Sequence, residues 1–212
     1  MKLYSFFNSS TSYRVRIALA LKGLPYDYQG INLREGQQYS PAHRELSPIG
    51  GVPVLDADGT LLTQSLAIID YLDSQYAGPR LIPVDALQRA RVLEIANLIG
   101  CDIHPLNNVR VLNYLQKILV VTAEQKTAWY KHWVAEGLSA VEALLQRHGC
   151  GNYCVGEEPG LAECCLIAQV ANAERIGCDL SSYPRIMAVY RHCLELPAFQ
   201  AAAPARQPDL IA

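Results

Sequence analysis

The chain has 212 residues, half of them hydrophobic, and a formal net charge of −2. That length supports one or two domains with a substantial core, and the near-neutral charge argues against nucleic acid or an anionic membrane surface as a partner. No apolar run is long enough to span a membrane, and no basic segment precedes an apolar one at the N-terminus, so the expected location is cytoplasmic. The seven cysteines all lie at or beyond Cys101 and form no pair of CxxC units. They are expected to be buried, reduced thiols rather than zinc ligands.

In chain order, Leu3-Tyr4-Ser5-Phe6-Phe7 is compact and aromatic, as a strand is. Ser9-Ser10-Thr11-Ser12 follows, and then Val15 to Lys22 carries Ile, Ala and Leu at helical spacing before Gly23, a favoured residue just past a helix end. The hydroxyl cluster therefore sits at a helix N-terminus, where unpaired N–H groups and the helix dipole favour an anion, a thiolate included. A plain capping role for these hydroxyls is the alternative. Arg14 and Arg16 lie inside this helix and are expected to form structural ion pairs.

Gly51-Val52-Pro53-Val54-Leu55-Asp56, Asp58-Gly59 and Leu61-Leu62-Thr63 read as a strand, a tight hairpin turn and a second strand. Pro53 fits only a sheet edge or a cis turn. Gln64-Ser65 then precedes apolar positions 66, 69, 72 and 76 of one helical face, with Ser65 as the expected N-cap. Residues 77–84, with Gly78, Pro79 and Pro83, read as a linker. Beyond it no strand is evident. Helical patterns run over about 85–115 (breaking at Pro105), 123–147, 162–175 and 184–194, followed by a short Ala- and Pro-rich helix and tail. The expectation is an α/β unit over residues 1–80 and an all-helical unit over 85–212.

Three stretches, SSTSYRVRIALALKG (9–23), PIGGVPVLDADGTLLTQSLAIIDYLD (48–73) and QVANAERIGCDLSSYPRI (169–186), together resemble the zeta class of the glutathione transferases. That class includes the maleylacetoacetate and maleylpyruvate isomerases. The resemblance spans nearly the whole chain. It implies a thioredoxin-like N-terminal domain, an all-helical C-terminal domain, glutathione as cofactor and a homodimer.

It also assigns roles. Ser9, Ser10 and Thr11 are implied to stabilise the glutathione thiolate. Gln64 and Ser65 are implied to hold the γ-glutamyl carboxylate. The backbone of Val52, ahead of a cis Pro53, is implied to pair with the cysteinyl portion, and Gln38 to meet the glycine end. Read without the resemblance, Gln38 is a solvated loop glutamine beside Gln37. His104 and Asn108 are further implied contacts to glutathione, and Asp102 is implied to reach the glutathione of a neighbouring subunit. His104 capping a broken helix is its alternative. Asn8, Asn108, Arg110 and Arg175 are implied to bind a diacid substrate, the two arginines as carboxylate receptors. Surface arginines are the alternative for both.

Two departures from the zeta pattern stand out. Thr11 replaces a usual cysteine, so no enzyme thiol is offered at that position. Gly160 and Glu163 replace a Ser/Thr-x-x-Asp capping box, which is expected to weaken the helix start by at most about 1 kcal/mol. The implied activity is glutathione-dependent cis–trans isomerisation of maleylpyruvate in gentisate-type aromatic catabolism. Maleylacetoacetate isomerisation and general glutathione conjugation are the alternatives.

Overall fold

The computed structural model describes residues 1–211. They form two compact units: Met1–Ile82 together with the residues from Leu194 onward, and Pro83–Cys193. The first holds a four-stranded mixed sheet, β1 (Lys2–Ser5), β2 (Asp27–Gly30), β3 (Val54–Ala57) and β4 (Thr60–Thr63), in the order β2-β1-β3-β4. Strand β1 runs parallel to β2 and antiparallel to β3, and β3 pairs antiparallel with β4. Asp58 and Gly59 turn the β3–β4 hairpin with φ of 55° and 92°, the left-handed pair that a tight primed turn requires.

Helix α1 (Ser10–Leu21) starts five residues earlier than the apolar periodicity indicated, because Ser9 is its N-cap and accepts from the Ser12 N–H at 3.2 Å. Its Val15, Ile17, Ala18 and Leu19 are fully buried. Helix α3 (Ser65–Gln75) also differs from expectation in its start: Gln64 is the cap residue, at φ 68°, and Ser65 is the first helical residue. Strand β2 and helix α2 (Pro41–Leu46) carry no long apolar pattern and were not expected. The second is built on the Ser40 hydroxyl, which accepts from the His43 N–H at 3.3 Å, with Pro41 in the first turn.

Neither helix arginine forms the expected ion pair among the described residues. The Arg16 guanidinium, fully buried, instead donates to Ser5 Oγ (3.2 Å), Phe6 O (3.3 Å), Phe7 O (3.0 Å) and Ala202 O (2.9 Å). The last of these acceptors explains the C-terminal segment. Helix α9 (Pro197–Ala202) packs on α1, and Tyr13 donates to Phe199 O at 3.4 Å. Further on, Asp209 accepts from the Phe7 N–H (3.1 Å) and the Tyr28 hydroxyl (2.6 Å). Burial, reinforced by that bond, pushes the Tyr28 phenol up. The tail expected within the helical unit is thus part of the first one. An Ala- and Pro-rich stretch carries no pattern that specifies which unit it packs on.

The second unit contains α4 (Ala86–Asn97), a π-helical turn (Leu98–Ile103), α5 (Val109–Lys117), α6 (Ala123–His148), α7 (Leu161–Arg175) and most of α8 (Pro184–Leu194). The pattern over 85–115 breaks at Pro105 as expected, but the part before the break is itself two pieces, α4 and the π-helical turn. Gly137 of α6 lets Ile103 approach where a Cβ would clash with its side chain, which sets the π-helical turn close against α6. At the start of α7, the buried Glu163 carboxylate accepts from the N–H of Gly160 (2.6 Å) and of Cys154 (2.7 Å). Burial raises the Glu163 carboxyl and these bonds oppose the rise. The lost hydroxyl cap is thereby offset by an acid that ties two segments together.

Cys154, Cys164, Cys165 and Cys193 are buried, but Cys101 is exposed and Cys150 and Cys178 are half-buried, so the expectation of buried thiols does not extend to these three. Among the described residues no helix is long and apolar enough to cross a membrane.

The stretch expected as a linker is anchored rather than loose. Leu81 and Ile82 are buried, and the Asp73 carboxylate accepts from their N–H groups at 2.7 and 3.2 Å while pairing with Lys22 Nζ and Arg80 Nε, each at 3.4 Å. Lys22 and Asp73 side chains are 0% and 1% exposed, so removing one charge strands the other. Asp73→Ala is expected to cost about 3–5 kcal/mol of unfolding free energy, measured by urea denaturation. Asp73→Asn, which keeps the shape and one acceptor oxygen, is expected to cost less.

Candidate active site

The N-terminus of α1 opens beside the turn that leaves β1. Arg16 holds the Phe6 and Phe7 carbonyls, and Phe6 O also accepts from the Ser9 N–H at 3.0 Å. This fixes Asn8 and Ser9, both half-buried, ahead of the helix. Ser9 Oγ lies 2.9 Å from Thr11 Oγ1, and Thr11 donates to Val52 O at 3.0 Å. Because Thr11 has a single hydroxyl proton and spends it on Val52, the Ser9 proton points to Thr11 or to a ligand. Ser10 is 7% exposed, so Ser9 is the more accessible of the two serines. No acidic residue lies in the first turn of α1 to occupy the positive end of the dipole.

The Thr11 bond brings the Val52–Pro53 segment to the hydroxyl run, and the peptide bond between those residues is cis. The Val52 carbonyl, expected to face a ligand, already accepts from Thr11. Its N–H and second lone pair are the remaining strand-like groups. Two residues that the sequence reading passed over hold this loop. His43 Nε2 is 2.9 Å from Gly51 O, and the Gly51 N–H donates to Ser47 Oγ at 3.1 Å. Gln38 is buried, 3% exposed, with Nε2 on Leu33 O at 3.5 Å, and is no solvated loop residue. Its Oε1 has no hydrogen-bond partner.

The first turn of α3 supplies a second cluster of unpaired N–H groups, again without an acidic residue. Gln64 presents it from a left-handed conformation that a side-chain-bearing residue rarely adopts. Such outliers collect at ligand sites, where the surrounding structure over-determines them. Ser65 is buried, and Arg14 of α1 donates to its Oγ at 3.3 Å. Asn8, Ser9, Thr11, Val52, Gln64 and Ser65 are thus drawn together around the starts of α1 and α3. With two anion-favouring helix ends and hydroxyl donors between them, this group suits an anionic peptide thiol such as glutathione.

Of the remaining predicted residues, all in the second unit, Asp102, His104, Asn108 and Arg110 lie around the break before α5 and Arg175 at the end of α7. His104 Nε2 is 3.3 Å from Asn108 Nδ2, and Asn108 Oδ1 caps α5 by accepting from the Arg110 N–H at 3.0 Å. Asp102 and Arg110 are exposed. Asn107 donates to Tyr130 O at 3.2 Å, which ties the break to α6. Arg175, exposed at the end of α7, donates to Asn172 Oδ1 at 2.6 Å. Its charge also pulls down the phenol of buried Tyr130, which burial raises more strongly. Arg175, Tyr130 and the Asn107–Arg110 segment are therefore linked within one unit.

A family model for the glutathione S-transferase N-terminal domain matches residues 3–80. A maleylacetoacetate isomerase of Pseudomonas aeruginosa is 49% identical over 99% of this chain and 98% of its own length. The holo structure of a maleylpyruvate isomerase, a bacterial glutathione S-transferase of the zeta class, superposes over 100% of both chains with a TM-score of 0.97 at 46% identity. A maleylacetoacetate isomerase of Methylobacterium extorquens AM1, solved with bound malonate and glutathione, matches over 100% of both chains with a TM-score of 0.96 at 36% identity. Identity at this level over the full length, joined to the paired helix ends and hydroxyl run described above, places the chain in the zeta class of the glutathione transferase family, in the branch of the maleylpyruvate and maleylacetoacetate isomerases.

Proposed function

We propose that this protein is a glutathione-dependent cis–trans isomerase of a maleyl diacid, with maleylpyruvate as its substrate in gentisate-type aromatic catabolism. The observation that carries the reading is the hydroxyl run Ser9–Thr11 at the dipole end of α1, joined to Val52 by the Thr11 bond. Maleylacetoacetate is the second reading, favoured by the 49% identity to the Pseudomonas aeruginosa enzyme of that name. The two diacids differ by a methylene, which a pocket discriminates by only about 1–3 kcal/mol. Following both substrates by ultraviolet absorbance, with and without glutathione, decides between them.

Bound glutathione supplies a thiolate that adds to the cis double bond, lets it rotate as a single bond, and departs to leave the trans isomer. Ser9 and the first-turn N–H groups of α1 hold that sulfur in its charged form, so no separate base is required. Gln64 and Ser65 take the γ-glutamyl carboxylate, Val52 the cysteinyl backbone, and Gln38 the glycine end. His104, Asn108 and, from the other subunit of a dimer, Asp102 add contacts. Asn8, Asn108, Arg110 and Arg175 receive the diacid. The arginine charges also stabilise the electron density that moves onto the carbonyl end during addition. Ser10 and Thr11 complete the hydroxyl run around the sulfur. The cysteines, none of which forms a disulfide among the described residues, accord with a reducing, cytoplasmic setting.

Ser9→Ala is expected to raise the pKa of bound glutathione by about one to two units, the worth of one charge-assisted hydrogen bond. Turnover at neutral pH should fall accordingly. Ser10→Ala should do less. A pH titration of thiolate absorbance checks this, and an unchanged titration in Ser9→Ala would transfer the role to the helix N–H groups. Replacing Arg110 or Arg175 by Met is expected to lower kcat/KM for the diacid by roughly thirty- to several hundred-fold, the cost of a charge-assisted bidentate bond. Conjugation of an uncharged chloronitrobenzene should be spared. Equal losses on both substrates would assign these arginines to the fold or to glutathione. The protein is further expected to sediment as a homodimer, and a monomer at micromolar concentration would remove Asp102 from the site.

A further inference from the structure

Arg14 differs from Arg16 and Lys22, the other arginine and lysine buried among the described residues. Its side chain is 2% exposed, yet only Nη1 has an acceptor, the neutral Oγ of Ser65 at 3.3 Å. Nε and Nη2 are buried without a hydrogen-bond partner, and no carboxylate pairs with the guanidinium among the described residues. The contrast with its neighbours is direct. Arg16 has four oxygen acceptors, and Lys22 has the Asp73 carboxylate. A guanidinium remains charged in the protein interior, and a buried charge without a counter-charge raises the energy of the fold that contains it.

We propose that Arg14 is a positioning residue whose counter-charge arrives with the ligand: the α-carboxylate at the γ-glutamyl end of glutathione, held through Ser65 and the first turn of α3. The inference rests on the glutathione-binding reading above and assigns a residue to it that the sequence motifs do not. A serine hydroxyl has one proton and two lone pairs. With one lone pair taken by Arg14, the Ser65 proton is directed away from the guanidinium, and the donated bond polarises the hydroxyl into a stronger donor. An anion on Ser65 therefore meets a pre-aimed hydroxyl, the unpaired N–H groups of α3, and a positive charge one residue further in. No acidic side chain lies in that first turn to compete for it. In a dry interior the charge is only weakly screened, so it acts across the intervening hydroxyl. The fork geometry matters less than the charge, because only one of the N–H groups is engaged.

The test measures binding of three ligands to the full-length protein and its Arg14→Met and Arg14→Lys variants by titration calorimetry. The ligands are glutathione, its glycyl monoethyl ester, and 4-aminobutyryl-cysteinylglycine, which lacks only the α-carboxylate. Native protein should bind the first two more tightly than the third. Arg14→Met should weaken glutathione and the ester by roughly tenfold or more while leaving the decarboxylated analogue within about threefold. Arg14→Lys, which keeps the charge, should retain most of the preference, and it serves as the measurement should the Met variant fail to fold. Uniform weakening of all three ligands, or an undiminished preference for the α-carboxylate in Arg14→Met or a preference lost equally in Arg14→Lys, overturns the proposal. Failure of the native protein to isomerise either diacid while the Arg14-dependent preference persists would instead refute the isomerase reading and leave Arg14 in its role.

Discussion

The first unit depends on the guanidinium of Arg16. The chain leaves β1 in an irregular turn, and the Phe6 and Phe7 carbonyls there belong to neither strand nor helix. Buried carbonyls without donors are costly, and one side chain on the following helix satisfies both of them together with Ser5 Oγ and Ala202 O. Burial drives the Arg16 pKa down, but the tyrosines and Asp209 around it pull the other way. Four oxygen acceptors make the charge tolerable in a place where water cannot reach it. The consequence for function is positional: the start of α1, with its hydroxyls, is fixed relative to β1 by a residue that is itself fully buried.

Arg14 and Arg16 stand two positions apart on the same helix and divide two tasks. The fold satisfies one completely and leaves the other short of acceptors. This local departure from full hydrogen bonding stands out in a domain whose other buried cations, Arg16 and Lys22, have oxygen acceptors. Gln64 makes the same point through its backbone. Its left-handed φ is unfavourable for a glutamine, yet it converts the end of β4 into the start of α3 within one residue and exposes the N–H groups there.

Much of this was legible beforehand, and the gaps have physical causes. Asp58-Gly59 predicts its hairpin because few dipeptides tolerate two left-handed residues. Ser9 is recognisable as a cap because hydroxyls ahead of an apolar helix have few other uses. Ser65 was misplaced by one position because cap preferences contain no information about a glutamine forced into the left-handed region. The π-helical turn at Leu98–Ile103 leaves no trace in a periodicity of 3.6, since it shifts the phase only once. Strand β2 is four residues long with alternating exposure, too brief for alternation to rise above chance. His43 and Ser47 were passed over, and Arg14 was expected in an ion pair it does not form, for another reason. Each acts on a partner distant along the chain or one loop away, and nothing in a single side chain announces the oxygen it will meet.

The hold of Asp209 on the Phe7 N–H and Tyr28 has a consequence for how the molecule comes into being. Ala202 and Asp209, which complete the hydrogen bonding of Arg16 and of the turn after β1, follow the whole helical unit in chain order. On the ribosome the glutathione-binding domain therefore emerges without these struts, which arrive only after the helical unit has been made. Its first strand and helix wait on residues some two hundred positions away, with the helical unit made in between. The domain that reads as the simpler and more local half of the chain is the one that closes last.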